Sequence, residues 1–127
     1  MWTYDQSSGQ IFHDGKIVGT GYAGNGEGKN NPALQQVPNV GPIPRGSYRI
    51  GPPHDTPNHG PFVLALTEDP ANEMFGRAGF LIHGNSIKEP GTASHGCIIL
   101  ARALREKIYL SDDRMLEVVD FFAATQG

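Results

Sequence analysis

Apolar residues along this chain fall in short alternating runs separated by turn-forming residues, which is the pattern of β-strands. Residues 1–4 and 10–12 flank the turn signal Asp5-Gln6-Ser7-Ser8-Gly9. Residues 16–22 follow a second turn at Asp14-Gly15, so an N-terminal meander is predicted. The stretch 23–44 has little periodicity and many Gly, Asn and Pro residues, and it reads as an ordered loop of the functional kind. Residues 47–50 and 62–67 are further strands, separated by Gly51-Pro52-Pro53 and a polar turn through Asn58-His59-Gly60. Residues 80–83 make a short apolar strand ending at His83, a loop covers 84–93, and residues 97–100 are apolar again. The period then changes. Leu100, Leu104 and Ile108 recur every four residues with Arg102, Arg105, Glu106 and Lys107 between them, predicting one amphipathic helix over about residues 100–110. Ser111-Asp112-Asp113 ends it, and Met115–Val119 reads as the last strand.

With 17 Gly and 10 Pro among 127 residues, backbone punctuation cuts the chain too finely for a helical bundle. The expectation is therefore one mainly β domain over residues 1–127, a sandwich or open barrel of short strands with that single helix near the C-terminus. A formal charge of −3 without a basic block argues against nucleic acid as a partner. No apolar run has the length of a membrane span. Residues 1–5 lack a positive region followed by an apolar stretch, so the chain is expected to be made in the cytoplasm without a signal peptide. One cysteine excludes an intrachain disulfide, and a lone cysteine is by default a small buried hydrophobe.

The surroundings of Cys97 alter that default. Phe80-Leu81-Ile82-His83-Gly84 delivers a histidine to a strand end, and Ser94-His95-Gly96-Cys97 leads into a second apolar segment. Two such ends side by side would set an imidazole against a thiol, the arrangement that makes a thiolate available at neutral pH. Gly96, lacking a side chain, would let backbone N–H groups approach a developing oxyanion.

His83-Gly84 followed by Ser94-His95-Gly96-Cys97-Ile98 resembles the signature of L,D-transpeptidase catalytic domains. Pro44-Arg45-Gly46-Ser47-Tyr48 is similar to the Pro-x-Gly-x-Tyr/Phe segment that precedes the site in that family. Gly28-Lys29-Asn30-Asn31-Pro32 and the compact size look closest to a branch of effectors delivered by type VI secretion. The resemblance spans roughly residues 1–119 and implies a cysteine enzyme acting on peptidoglycan stem tetrapeptides at the L–D bond. It makes Cys97 the nucleophile and His83 the general base, with N–H groups of Gly96 and Cys97 as the oxyanion hole. His95, Ser94 and Gly84 would shape the site, and Asn30, Asn31 and Arg102 are candidates for holding substrate. No metal or organic cofactor is implied. The implied partners are stem peptides, a cognate immunity protein and a secretion apparatus, with a monomer acting in the periplasm of a target cell. The common family pattern places Arg two residues after the cysteine; this chain has Ile99 there, which leaves hydrolysis, D-amino-acid exchange and cross-linking all open.

Two other readings stand beside this one. Papain-like cell-wall amidases also pair Cys with His, but there the Cys comes first and opens a helix. A catalytically inactive β module that binds wall is the other, with Ile99 its support. Among the remaining candidates, His54, Asp55 and His59 read as a solvated loop rather than a metal site, and His13 as a turn residue. The run Gly19-Thr20-Gly21-Tyr22-Ala23-Gly24 matches a dinucleotide fingerprint, but the sequence after it cannot open the required helix. Arg102 and Arg105 read as the helix's solvated face, and Met115–Val119 with Phe121-Phe122 as core.

Overall fold

The computed structural model describes residues 1–123, so the last four residues of the expected domain lie outside it. The protein is mainly β, as its alternation predicts. Nine strands of the described residues form one sheet: β1 (Trp2–Asp5), β2 (Gln10–His13), β3 (Lys16–Thr20), β4 (Tyr22–Ala23), β5 (Gly46–Thr56), β6 (Gly60–Glu68), β7 (Leu81–His83), β8 (Ile98–Ile99) and β9 (Met115–Val119). Among the described residues a single α-helix, α1 (Arg102–Leu110), lies within the predicted 100–110. The strand order is β3-β2-β1-β9-β5-β6-β7-β8-β4, an open sheet rather than a closed barrel.

The predicted strand over residues 16–22 is two strands. β3 and β4 stand at opposite edges of the sheet although only Gly21 separates them, so the sheet curls until its edges come together. Gly21 is required there: a Cβ would sit 1.8 Å from the Ile99 carbonyl oxygen. The 23–44 loop contains two short 3-10 turns, Gly26–Gly28 and Pro32–Leu34.

β5 runs straight through Gly51-Pro52-Pro53, which had read as a break between strands. Its ladder with β6 passes from Ile50↔Leu66 to Pro53↔Leu64, so one extra residue of β5 bulges out where prolines have no N–H to offer. The compensating shift comes between His54↔Val63 and Thr56↔Gly60, in the stretch where Phe62 adopts a φ of 54°. These two shifts bend the hairpin and set where its tip, with His59, arrives.

The core is built from alternate residues of these strands. Trp2, Tyr4, Ile11, Tyr48, Ile50, Leu64, Ile82, Ile98, Leu116 and Val118 are all buried. Ile108 closes it from α1. Burial of such aliphatic and aromatic groups is the main stabilising contribution, each side chain being worth roughly 1.5–3 kcal/mol.

Three expectations are corrected. Arg105 is not on a solvated face: it is 4% exposed, turned inward between Leu104 and Ile108, while Leu110 is 81% exposed. Met115 and Phe121 are exposed rather than core; Met115 alternates with buried Leu116, and of the phenylalanine pair only Phe122 packs inward, against Phe12. His59 is not merely solvated, for reasons given by its neighbour His83.

Candidate functional site

β7 and β8 pair in parallel, Ile82 with Ile98 and His83 with Ile99. Parallel neighbours cannot be joined by a tight turn and need a crossover of a dozen or more residues. Here that crossover is the 84–97 segment, which rims the site and returns as Ser94-His95-Gly96-Cys97. Because Cys97 immediately precedes β8, the register carries it opposite Leu81, whose N–H donates to Sγ at 3.3 Å.

His83 is 3% exposed, and its Nδ1 lies 2.9 Å from the Gly84 carbonyl oxygen. A carbonyl can only accept, so Nδ1 carries the proton and Nε2 is left with its lone pair. Burial pushes the His83 pKa down to about 4, and the neighbouring His59 and Arg105 charges add to this against the Gly84 bond. The imidazole is therefore neutral at neutral pH. Burial likewise pushes the Cys97 thiol up, opposed by the Leu81 N–H, the Arg77 guanidinium and the N–H of Cys97 itself. The resting pair is thiol and neutral imidazole, so ionisation of Cys97 needs a base. Among the described residues, Cys97 and His83 share a cleft but no direct hydrogen bond.

That cleft has a volume of about 1200 Å³ and is lined by His59, His83, His95, Cys97, Arg102 and Arg105 among others, with Lys88 at its rim. Among the described residues no carboxylate lines it. A smaller cleft of about 230 Å³, bounded by Asn39, Arg77, Phe80 and Gly79, opens on the same Cys97 and His95.

The turn before Cys97 is fixed from within by Ser94. Its buried hydroxyl accepts from the N–H groups of Gly24 (2.8 Å) and Gly96 (3.0 Å) and donates to the Cys97 carbonyl (2.6 Å). Asn25 Nδ2 donates to the Ser94 carbonyl at 3.0 Å. Gly96 has a φ of 136°, and a Cβ on it would meet Arg77 Nη2 at 2.5 Å and the Phe80 ring at 2.9 Å. Its N–H is spent on Ser94, so Gly96 contributes space rather than a free donor.

The structure thus gathers Cys97, His83, His95, Gly84 and Arg102 around one cleft, with Ser94 and Gly96 in the turn beneath. Arg102 stacks on the Phe62 ring at 4.8 Å and pairs with Glu106 at 3.2 Å. Asn30 and Asn31 do not join them. Asn30 Oδ1 accepts from Ala23 N–H at 3.2 Å, while Asn31 caps the Pro32–Leu34 turn through Ala33 N–H and donates to the Glu27 carbonyl at 3.0 Å.

Two features of the site were not read from the sequence. His59, at the β5–β6 tip, has its ring 4.5 Å from that of His83; only the bulged hairpin brings it there. Arg77 and Arg105 are buried cations that donate to backbone carbonyls, and nothing in their local sequence distinguishes them from surface arginines. Arg105 donates to Phe62, Leu100 and Pro61, tying α1 to the start of β6 and the end of β8.

The described residues also bring His13, Asp14 and Asp113 together, with ligand atoms within 4.8 Å of one another. The Met1 amino group lies between the two carboxylates, at 2.7 and 2.6 Å, so their charge is already met by an ammonium. This group lies at the end of β2, in the turn after it and in the connection before β9, away from β7 and β8.

An open β sheet presenting a thiol and an imidazole in one basic cleft defines the class of scaffold. The family model of the Tlde1 domain matches residues 18–120, and the chain belongs to that family, the type VI secretion L,D-transpeptidase effectors. Membership implies L,D-transpeptidase-type activity on peptidoglycan, in the cell wall of a target. Among curated proteins none matches the chain. No helix among the described residues is long and apolar enough to cross a membrane.

The depressed His83 pKa makes a prediction about stability. Between about pH 4 and 6.5 the unfolded chain binds a proton on His83 that the folded chain refuses, so stability falls as pH is lowered through that window. Thermal unfolding from pH 7 to pH 4 is expected to show this loss, and His83→Gln to flatten it. Equal slopes in both proteins would contradict a buried neutral imidazole.

Proposed function

We propose that Cys97 is the nucleophile and His83 the general base of a peptidoglycan enzyme that cleaves the L–D bond of stem tetrapeptides, the chain working as one catalytic domain and as a monomer. The observation that supports this most directly is the shared cleft: parallel pairing of β7 and β8 brings Cys97 and His83 to line the same space, and the Gly84 bond to Nδ1 leaves Nε2 free to act as the base. His83 Nε2 takes the proton from Sγ, and the thiolate attacks the carbonyl of the L-centre residue. The carbonyl π electrons move onto oxygen, and the Cys97 N–H serves as a backbone donor to it. Collapse breaks the C–N bond, His83 returns its proton to the departing D-Ala amine, and a thioester remains on Cys97. Water, a free D-amino acid or a neighbouring stem amine then resolves it, giving carboxypeptidase, exchange or cross-linking chemistry. A cleft lined by Arg102, Arg105 and Lys88, of which Arg102 is shared with Glu106, suits an anionic stem bearing free carboxylates.

In the amidase reading the cysteine opens a helix; Cys97 leads into β8, and α1 begins five residues later at Arg102. Incubation of defined tetrapeptide muropeptides with the purified protein is expected to release D-Ala, or to exchange it for added D-Met. Cys97→Ala and His83→Ala should each lower the rate by about 1000-fold or more, because base and nucleophile act as a unit. Mass analysis showing activity retained by Cys97→Ala would overturn the assignment.

The same reading makes the protein an antibacterial effector that acts in the periplasm and is countered in its producer by an immunity protein. Family membership supports this. Expression in a Gram-negative host with an added secretory signal should arrest growth, and Cys97→Ala should relieve the arrest. Equal toxicity of the cytosolic form would point to a target other than peptidoglycan.

A further inference from the structure

Arg77 is a buried cation that has carbonyls for partners and, among the described residues, no counter-ion. Nη1 donates to the carbonyls of Gln35 and Pro42 (2.8 Å to the latter), and Nη2 to Gly41 at 3.0 Å and His95 at 3.2 Å. The guanidinium lies 5.1 Å over the Phe80 ring and is 7% exposed. Among the described residues no carboxylate pairs with it. Guanidinium does not lose its proton in proteins, and a buried charge is ordinarily neutralised by an opposite one, because dipoles alone recover only part of its lost hydration. Arg105 is held by carbonyls in the same way, but Arg77 alone of the two shares a cleft with the thiol, so its unneutralised charge is available to an anion forming there.

Arg77 and Cys97 line the same small cleft. Nη2 reaches the carbonyl of His95, two residues before the thiol, and presses against the space that Gly96 leaves open. Its other bonds gather Gly41 and Pro42, next to Ile43, whose N–H donates to the Gly96 carbonyl at 2.9 Å. One side chain thus holds both strands of backbone that cradle the Cys97 turn. We propose that Arg77 is the positioning residue of Cys97: it braces the turn that carries the thiol and supplies the positive charge beside which the thiolate forms. This rests on the reading of Cys97 as nucleophile. When the S–H bond breaks, the proton goes to His83 Nε2, the electron pair stays on Sγ, and Arg77 remains protonated throughout.

The other groups around the pair do not replace it. Cys97 faces His83 from β7 and His95 from its own turn, both without a fixed charge. Beyond His83 stand His59 from the β5–β6 tip and Arg105 from α1, whose charges bear on the imidazole rather than the sulfur. Tyr48 from β5 is the remaining titratable group facing Arg77, and burial keeps its hydroxyl protonated. Arg77 is also the side-chain charge that favours ionised Cys97.

Cys97 is the chain's one cysteine, so alkylation by iodoacetamide across a pH series reads its ionisation without any substrate. Arg77→Gln should raise the apparent thiol pKa by about one unit or more and slow alkylation at pH 7 by about ten-fold. Arg77→Lys, which keeps the charge and loses the fork, should restore most of that shift while leaving muropeptide turnover impaired. A folded Arg77→Gln protein with the wild-type alkylation profile would overturn the proposal. Should Arg77→Gln fail to fold, the missing counter-ion can be supplied with Arg77 intact. In a His83→Gln background, Cys97→Asp is expected to melt higher than Cys97→Asn at pH 7, the gain vanishing as the carboxylate protonates in acid. A Cys97→Asp protein no more stable than Cys97→Asn would overturn the proposal by that route. Absent turnover by the wild type would strike the nucleophile reading instead, whatever the Arg77 variants do.

Discussion

Parallel pairing of Leu81–His83 with Ile98–Ile99 is the constraint from which the site follows. Two paired residues fix the register of two strand ends, and a slip of one position would turn His83 and Cys97 to opposite faces of the sheet. Parallel geometry also demands a long return, and that return supplies the rim of the cleft and the Ser94-His95-Gly96 turn. The pairing is short, so it is held by its surroundings. Leu100 N–H donates to the His83 carbonyl at 3.0 Å, Ile82 and Ile98 are fully buried, and β4 closes the far side of β8.

Buried arginines tie this pair of strands to the rest of the chain. Arg105 anchors α1 to β6 and β8 beside His83, and Arg77 anchors the 35–42 backbone to the turn beside Cys97. Each replaces with one side chain what would otherwise be several exposed carbonyls in irregular backbone. Their placement also divides the electrostatics. The cation near the imidazole disfavours its protonation, and the cation near the sulfur favours its ionisation. The first keeps a base available, and the second stabilises the negative charge left on sulfur when the proton departs.

Much of this was legible in the chain. The apolar runs located the strands that carry most of the core, though not the separate β4 with Ala23, and the change of period at Leu100 located the helix, because both signals come from burial on one face. His83 and Cys97 stood out because each sits where an apolar run meets a glycine. What the sequence hid has physical reasons. β5 runs through Pro52 and Pro53 because a bulge absorbs their missing donors, a feature of pairing rather than of local composition. His59 reaches His83 only through the bent β5–β6 hairpin. Arg77 and Arg105 look like solvated charges because their partners are backbone carbonyls, which are present at every residue and so leave no mark in the sequence. Asn30 and Asn31, singled out as substrate contacts, serve the loop's own backbone; in a Gly-rich stretch a side-chain amide is as useful for turning the chain as for binding.

The account stands on the thiol of Cys97 attacking a carbonyl in the cleft it shares with His83. Intact-protein mass after incubation with a carbapenem tests this most directly, since the strained ring should leave a stable acyl adduct where a stem thioester would turn over. A single adduct is expected, located on the peptide containing Cys97, absent from Cys97→Ala and formed far more slowly by His83→Ala. An unmodified wild-type protein, or an adduct that survives Cys97→Ala, would contradict it.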